Sequence, residues 1–144
     1  MRQINEPATR IFCRLLEKMG NHESLQFTAE GFMPLTMEKV IAPIATDTGS
    51  GALYSLCHYY DEYGDLMRDP EMCFIVVDNR QHTKDYERLH IYPQYYRQDN
   101  AGLQEESIRI ENNRVVSFIK VWQYAHCQFA NLWLRNINKQ GFLK

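Results

Sequence analysis

The chain has no Cys-x-x-Cys pair, no long apolar run, no low-complexity segment and no surplus of either charge. Each absence removes a class of protein. A membrane-spanning helix needs about 20 apolar residues, and no window approaches that length. The amino-terminal MRQINEPATRIFCRLLEKMG also lacks the apolar centre of a secretory leader. The 16 basic and 18 acidic residues leave a net charge of −2. That balance argues against a dedicated nucleic-acid binder, whose affinity rests on clustered Lys and Arg neutralising phosphates. It argues equally against an acidic mimic of DNA. The four cysteines, Cys13, Cys57, Cys73 and Cys127, are far apart and have apolar neighbours. They read as buried reduced thiols rather than zinc ligands or a disulfide framework, so a cytoplasmic protein is expected.

What is present is ordinary globular composition with a high aromatic content. The 144 residues fit one domain, which at this size buries roughly 70% of the surface its unfolded chain exposes. Aromatics make up 12%, with nine Tyr and seven Phe, residues suited to half-buried strands. Pro7 followed by Ala8–Met19 predicts an opening helix, with Ile11, Leu15, Leu16 and Met19 on its apolar face and Gly20-Asn21 as the stop. Leu25–Ala29 and Phe32–Ala42 read as strands, the second at an edge or bulge because of Pro34. Pro43–Gly51 reads as a loop. Its Gly-Ser-Gly has no phosphate-binding lysine and leads into a strand rather than a helix.

Ala52–Tyr63 and Met72–Asp78 are the expected central strands, an antiparallel hairpin joined by an acidic connection. Met72, Phe74 and Val76 oppose Cys73, Ile75 and Val77, so the second strand is apolar on both faces and belongs inside the sheet. Leu89–Tyr96 and Leu103–Ile110 follow as strands, with turns at Asp99–Gly102 and Glu111–Asn113. From about Val115 the period becomes helical. Phe118, Trp122, Ala125, Phe129, Trp133 and Ile137 predict one long helix burying an aromatic stripe across the sheet, ended by Gly141. The expectation is one α+β domain over residues 1–144: a helix, a mainly antiparallel sheet of about five or six strands, and a long helix packed on it.

Two constellations bear on function. The first is the acidic connection Asp61–Glu71, where Asp65, Asp69 and Glu71 are candidate ligands for a hard divalent cation able to activate water for phosphoester hydrolysis. The spacing fits no calcium loop. Each residue also has a structural use: Gly64-Asp65 for the turn, Asp69-Pro70 to restrict the chain, Arg68 to pair with a carboxylate. The histidines show no ligand spacing, and Cys57 and His58 are adjacent on a strand and so point to opposite faces. The second is Tyr92, Tyr95, Tyr96 and Arg97, which with Trp122 and Trp133 are the residue types enriched at protein interfaces. A basic patch around Arg88, Arg97, Arg109 and Arg114 is the one feature that suits a nucleic acid.

Tyr59-Tyr60, Gly64–Met67, Asp69–Met72, Tyr95–Gly102 and Phe129–Trp133 with Gln140–Phe142 resemble an uncharacterised bacterial family of unknown function. Its members occur on plasmids, phages and conjugative elements of gut bacteria. The resemblance covers much of residues 30–143, and HYY…GDLMRDPEM is its most specific block. It implies a small accessory protein and brings no activity, cofactor or catalytic residue. The sequence therefore favours a non-catalytic binding module with a protein partner or a second copy of itself. The alternative is a metal-dependent phosphoester hydrolase at the acidic turn. No cofactor is implied.

Overall fold

A computed structural model describes all 144 residues. Helix α1 (Glu6–Met19) begins where the Asn5 side chain accepts a hydrogen bond from Ala8 N at 3.0 Å, with Pro7 in the first turn where no N–H is needed. Eight strands follow: β1 (Ser24–Phe27), β2 (Leu35–Thr46), β3 (Gly49–Glu62), β4 (Asp65–Asp78), β5 (Leu89–Gln98), β6 (Leu103–Glu106), β7 (Ile108–Glu111) and β8 (Arg114–Phe118). Helix α2 (Lys120–Gln140) closes the chain and is ended by Gly141 in the left-handed conformation.

The sheet order is β6-β5-β4-β3-β2-β8-β7, with β1 paired to the first half of β2. All pairs are antiparallel except a single parallel bridge between Ala45 of β2 and Arg114 of β8. The two ends of this order, β6 and β7, are separated in sequence by Ser107 alone, so the sheet curls back on itself. Ser107 is the corner: it is fully buried, its N donates to Gln94 O at 2.8 Å, and its O accepts from Ile119 N at 2.8 Å.

The curl gives two cores. Both helices pack on one face over Phe12, Leu15, Leu56, Met72, Phe74, Ile91, Trp133 and Ile137. Phe12 meets Phe74 edge to face at 5.0 Å between ring centroids. The β7–β8 hairpin folds over part of the opposite face and seals a smaller cluster of Ile44, Leu53, Ile75, Val77, Tyr92 and Ile108. Apolar residues on both faces of β4 are thereby both used, as its composition demanded.

The α+β class, the antiparallel β3–β4 hairpin and the two helices agree with the sequence reading. The strand number does not: there are eight rather than five or six. Pro43 does not end β2, which runs on to Thr46, so the expected loop shrinks to Asp47-Thr48. The acidic connection is itself mostly strand. Ser107 splits one expected strand into β6 and β7. The segment read as the start of the long helix is instead β8, which returns through a turn in which Asn112 and Asn113 both have positive φ (51° and 59°).

Candidate functional site

The acidic residues do not converge. Glu62 and Asp65 flank the tight Tyr63-Gly64 turn, and Asp65 is exposed. Between Tyr59↔Arg68 and Cys57↔Glu71 the β3–β4 register jumps, leaving Asp69 and Pro70 opposite His58 alone. Asp69 accepts a hydrogen bond from Asn100 Nδ2 at 3.0 Å. Burial raises the Tyr96 hydroxyl, and Asp69 adds to that from the helix-covered side. Glu71 points the other way, accepting from Ser55 Oγ at 3.0 Å with Arg68 at 4.0 Å. No group of three or more His, Cys, Asp or Glu side chains is arranged to hold a metal ion.

The aromatic set is divided in the same manner. Cys73 pairs with Tyr95 and Phe74 with Pro93, so Gln94 is an extra residue and β5 changes face there. Tyr92 enters the smaller core and its hydroxyl meets Thr48 Oγ1 at 3.0 Å. Tyr96 enters the larger core against Phe129, with ring centroids 5.1 Å apart. Tyr95 and Arg97 remain half-buried on the open part of the second face. Tyr95 accepts from Gln104, and Arg97 Nε donates to Asp99 Oδ1 at 2.6 Å. Four consecutive-looking interface residues thus become two core residues and two members of a polar network.

That network covers the open face of β3, β4 and β5. The Arg97 guanidinium, with the Arg68 backbone N–H at 2.9 Å, holds the Asp99 carboxyl below the usual carboxylate range. Burial pushes the Cys57 and Cys73 thiols up to about 12, and Tyr59 likewise to about 12. At neutral pH both cysteines are protonated, and a thiolate nucleophile is not on offer. The basic set is also dispersed: Arg88 faces Asp85 at 3.5 Å, Arg97 faces Asp99, and Arg109 faces Glu111 at 2.8 Å.

A groove of about 520 Å³ lies between the end of α1 and the sheet, with Leu16, Met19, Tyr54 and Val76 among its lining residues. Its charged edge is already satisfied. Arg80 grips Asp78 through two hydrogen bonds of 2.9 and 2.8 Å and donates to Cys13 Sγ at 2.9 Å. The Arg80 hydrogen bonds hold the Asp78 carboxyl down.

One surface has no such internal partners. Val116, Phe118, Ile119, Val121 and Trp122 are all exposed along the end of β8 and the first turn of α2, Val121 by 78%. Ile119 caps α2 without a side-chain hydrogen bond, and the first turn carries no acidic residue. Arg2 and Lys120 both lie over the Tyr124 ring, at 4.0 and 5.5 Å. Sequence reasoning missed this surface because it assigned Phe118 and Trp122 to a buried helical stripe. The buried positions of α2 are Gln123, His126, Cys127, Ala130, Trp133, Leu134 and Ile137. Two of them are polar: Gln123 Oε1 accepts from Arg2 N at 2.8 Å, and His126 Nε2 meets Glu105 Oε1 at 2.8 Å while its Nδ1 is buried without a partner. The available signal was Asn112-Asn113 followed by β-branched Val115-Val116, a hairpin pattern rather than a helix start.

The profile of a family described as "Domain of unknown function (DUF6908)" matches residues 10–143. No curated protein and no solved structure matches the chain.

Proposed function

The chain belongs to this family of unknown function, and from its own surface we propose that it is a non-catalytic protein-binding module, an accessory protein of a bacterial mobile element. The observation that carries the reading is the exposed apolar surface from Val116 to Trp122, where five large apolar residues cluster, whereas the other exposed ones stand as sequence pairs (Phe32-Met33, Val40-Ile41) or singly (Tyr63, Leu66, Leu103, Leu132). Contiguous apolar surface with a polar rim is what a protein partner buries. The paired state of the ionisable groups supports the same side of the choice. Asp78, Asp99 and Glu71 are each held by an Arg or Ser, and the thiols are protonated. The mobile-element setting rests on the HYY…GDLMRDPEM resemblance alone.

Site-specific photocrosslinking tests the reading. A photoreactive side chain at Val121 is expected to capture one defined protein in a host cell. The same group at exposed Glu17, on α1, is expected to capture none. Identical products from both positions, or none from Val121, would overturn it.

A further inference from the structure

We propose that the Val116–Trp122 surface receives an extended segment of another protein, added as a strand to the outer edge of β8, with carboxylates at the end that meets α2. This rests on the reading of that surface as a protein-binding site and names the kind of partner.

The backbone supports a strand. One edge of β8 pairs with β7, while the other touches β2 only at Arg114. Because β2 ends at Thr46, Val116–Phe118 run past it with no strand beside them. Natural edges are blunted with Lys, Pro, inward charges or bulges. β8 has one such bulge, since Ile110 pairs with Val115 and Arg109 with Ser117, leaving Val116 over; the segment Val115–Phe118 carries no Lys, Pro or charge. Beside that edge lies a cleft of about 420 Å³, bounded by Met1, Asp47 and Val115–Phe118. Beside the open main chain, exposed Val116 and Phe118 offer apolar contacts, as in the recognition mode where main-chain bonds give affinity and side-chain pockets give selectivity.

The charge chooses the partner. Arg2 and Lys120, both over the Tyr124 ring of α2, are exposed, as is Arg114 at the other end of β8, and none has a carboxylate within 4.0 Å. The uncapped start of α2 adds the positive end of its dipole and its unsatisfied N–H groups. Against these stands Asp47, which lines the cleft, while Glu111 is held by Arg109. A second copy would bring the same surface, with three cations against the single carboxylate of Asp47, so that one net-positive patch met another. Carboxylates on a different chain complement them.

Three fluorescein-labelled synthetic octapeptides test the proposal by anisotropy against the full chain. One has an alternating Val/Phe centre with Glu-Glu at one end. The second has Lys-Lys there, and the third is the Glu-Glu peptide N-methylated at alternate backbone positions. The Glu-Glu peptide is expected to bind at least tenfold tighter than the Lys-Lys peptide. Lys120→Glu should cancel that preference, and N-methylation should abolish binding. Both substituted positions, Lys120 and Val121, are exposed, and circular dichroism verifies the fold of each variant. Equal binding of both charged peptides, lost with Val121→Asp, would overturn the charge selection while leaving the protein-binding reading intact. Undiminished binding of the N-methylated peptide would overturn strand addition. Binding to phosphatidylglycerol vesicles but no peptide, or a dimer dissolved by Val121→Asp, would overturn the proposal in favour of a membrane or a second copy. No binding to any probe would overturn it outright.

Discussion

His58 shows how a single side chain in this protein is fixed by what surrounds it. Its Nδ1 lies 3.1 Å from Met33 O and 3.3 Å from Pro34 O, so it donates as Nδ1–H, and its ring packs near Trp133 and Phe142. Burial lowers its pKa below the ordinary histidine value. The unfolded chain therefore binds the proton more readily than the native state. His58 costs no stability above about pH 6.5, and stability falls as the pH drops from there towards the depressed native value. Thermal melts from pH 7.5 to 5.5 should show a falling midpoint, and His58→Gln should flatten that fall. Phe74 is fully buried against Phe12. Phe74→Ala is expected to cost about 3–5 kcal/mol, read from urea unfolding. Strand alternation alone anticipated that Cys57 and His58 face apart; the carbonyls that hold His58 come from a segment 24 and 25 residues away and left no mark on the local pattern.

At the scale of elements, β-bulges decide which residues meet. The irregularity at Asp69-Pro70 sends Asp69 and Glu71 to different partners, and the extra residue Gln94 sends Tyr92 and Tyr96 into different cores. A one-residue slip moves every following side chain to the other face, and nothing in the composition of a strand announces one. Thermal unfolding after EDTA treatment, repeated with Mg²⁺, Mn²⁺ or Ca²⁺, is therefore expected to show no metal-specific shift. A saturable shift removed by Asp69→Ala would show that the acids converge after all. Gly51 lies where β3 runs close beside β4, and a Cβ there would stand 2.8 Å from Val76 O. Backbone cannot yield as a side-chain tip does, so Gly51→Ala should cost about 1–3 kcal/mol, measured by denaturant titration. The opening helix and the β3–β4 hairpin were legible because their signals are local: Asn5-Glu6-Pro7 with a helical stripe, and paired apolar runs around Tyr63-Gly64.

For the whole molecule, curling the sheet is the decisive event. It lets the β7–β8 hairpin cover apolar groups of the second face that the helices cannot reach, and it leaves the apolar β8–α2 corner at the outside. Because a two-fold contact through that corner would set one net-positive surface against another, the protein is expected to sediment as a monomer at micromolar concentration. A stable dimer under those conditions would contradict the charge argument. No helix is long and apolar enough to cross a membrane.

The sequence by itself determined the α+β class, the antiparallel centre, both helices and the buried state of Cys13, Cys57 and Cys127, because each depends on periodicity or composition within a short window; Cys73, expected to be buried with them, is half-buried on the open face. Only the tertiary structure decided which face each aromatic occupies and where the exposed patch lies. Those outcomes depend on bulges, on the Ser107 corner and on buried polar side chains such as Gln123 and His126, whose partners are distant in sequence. A buried polar residue looks exposed to any reading by hydrophobicity until its hydrogen-bond partner is known.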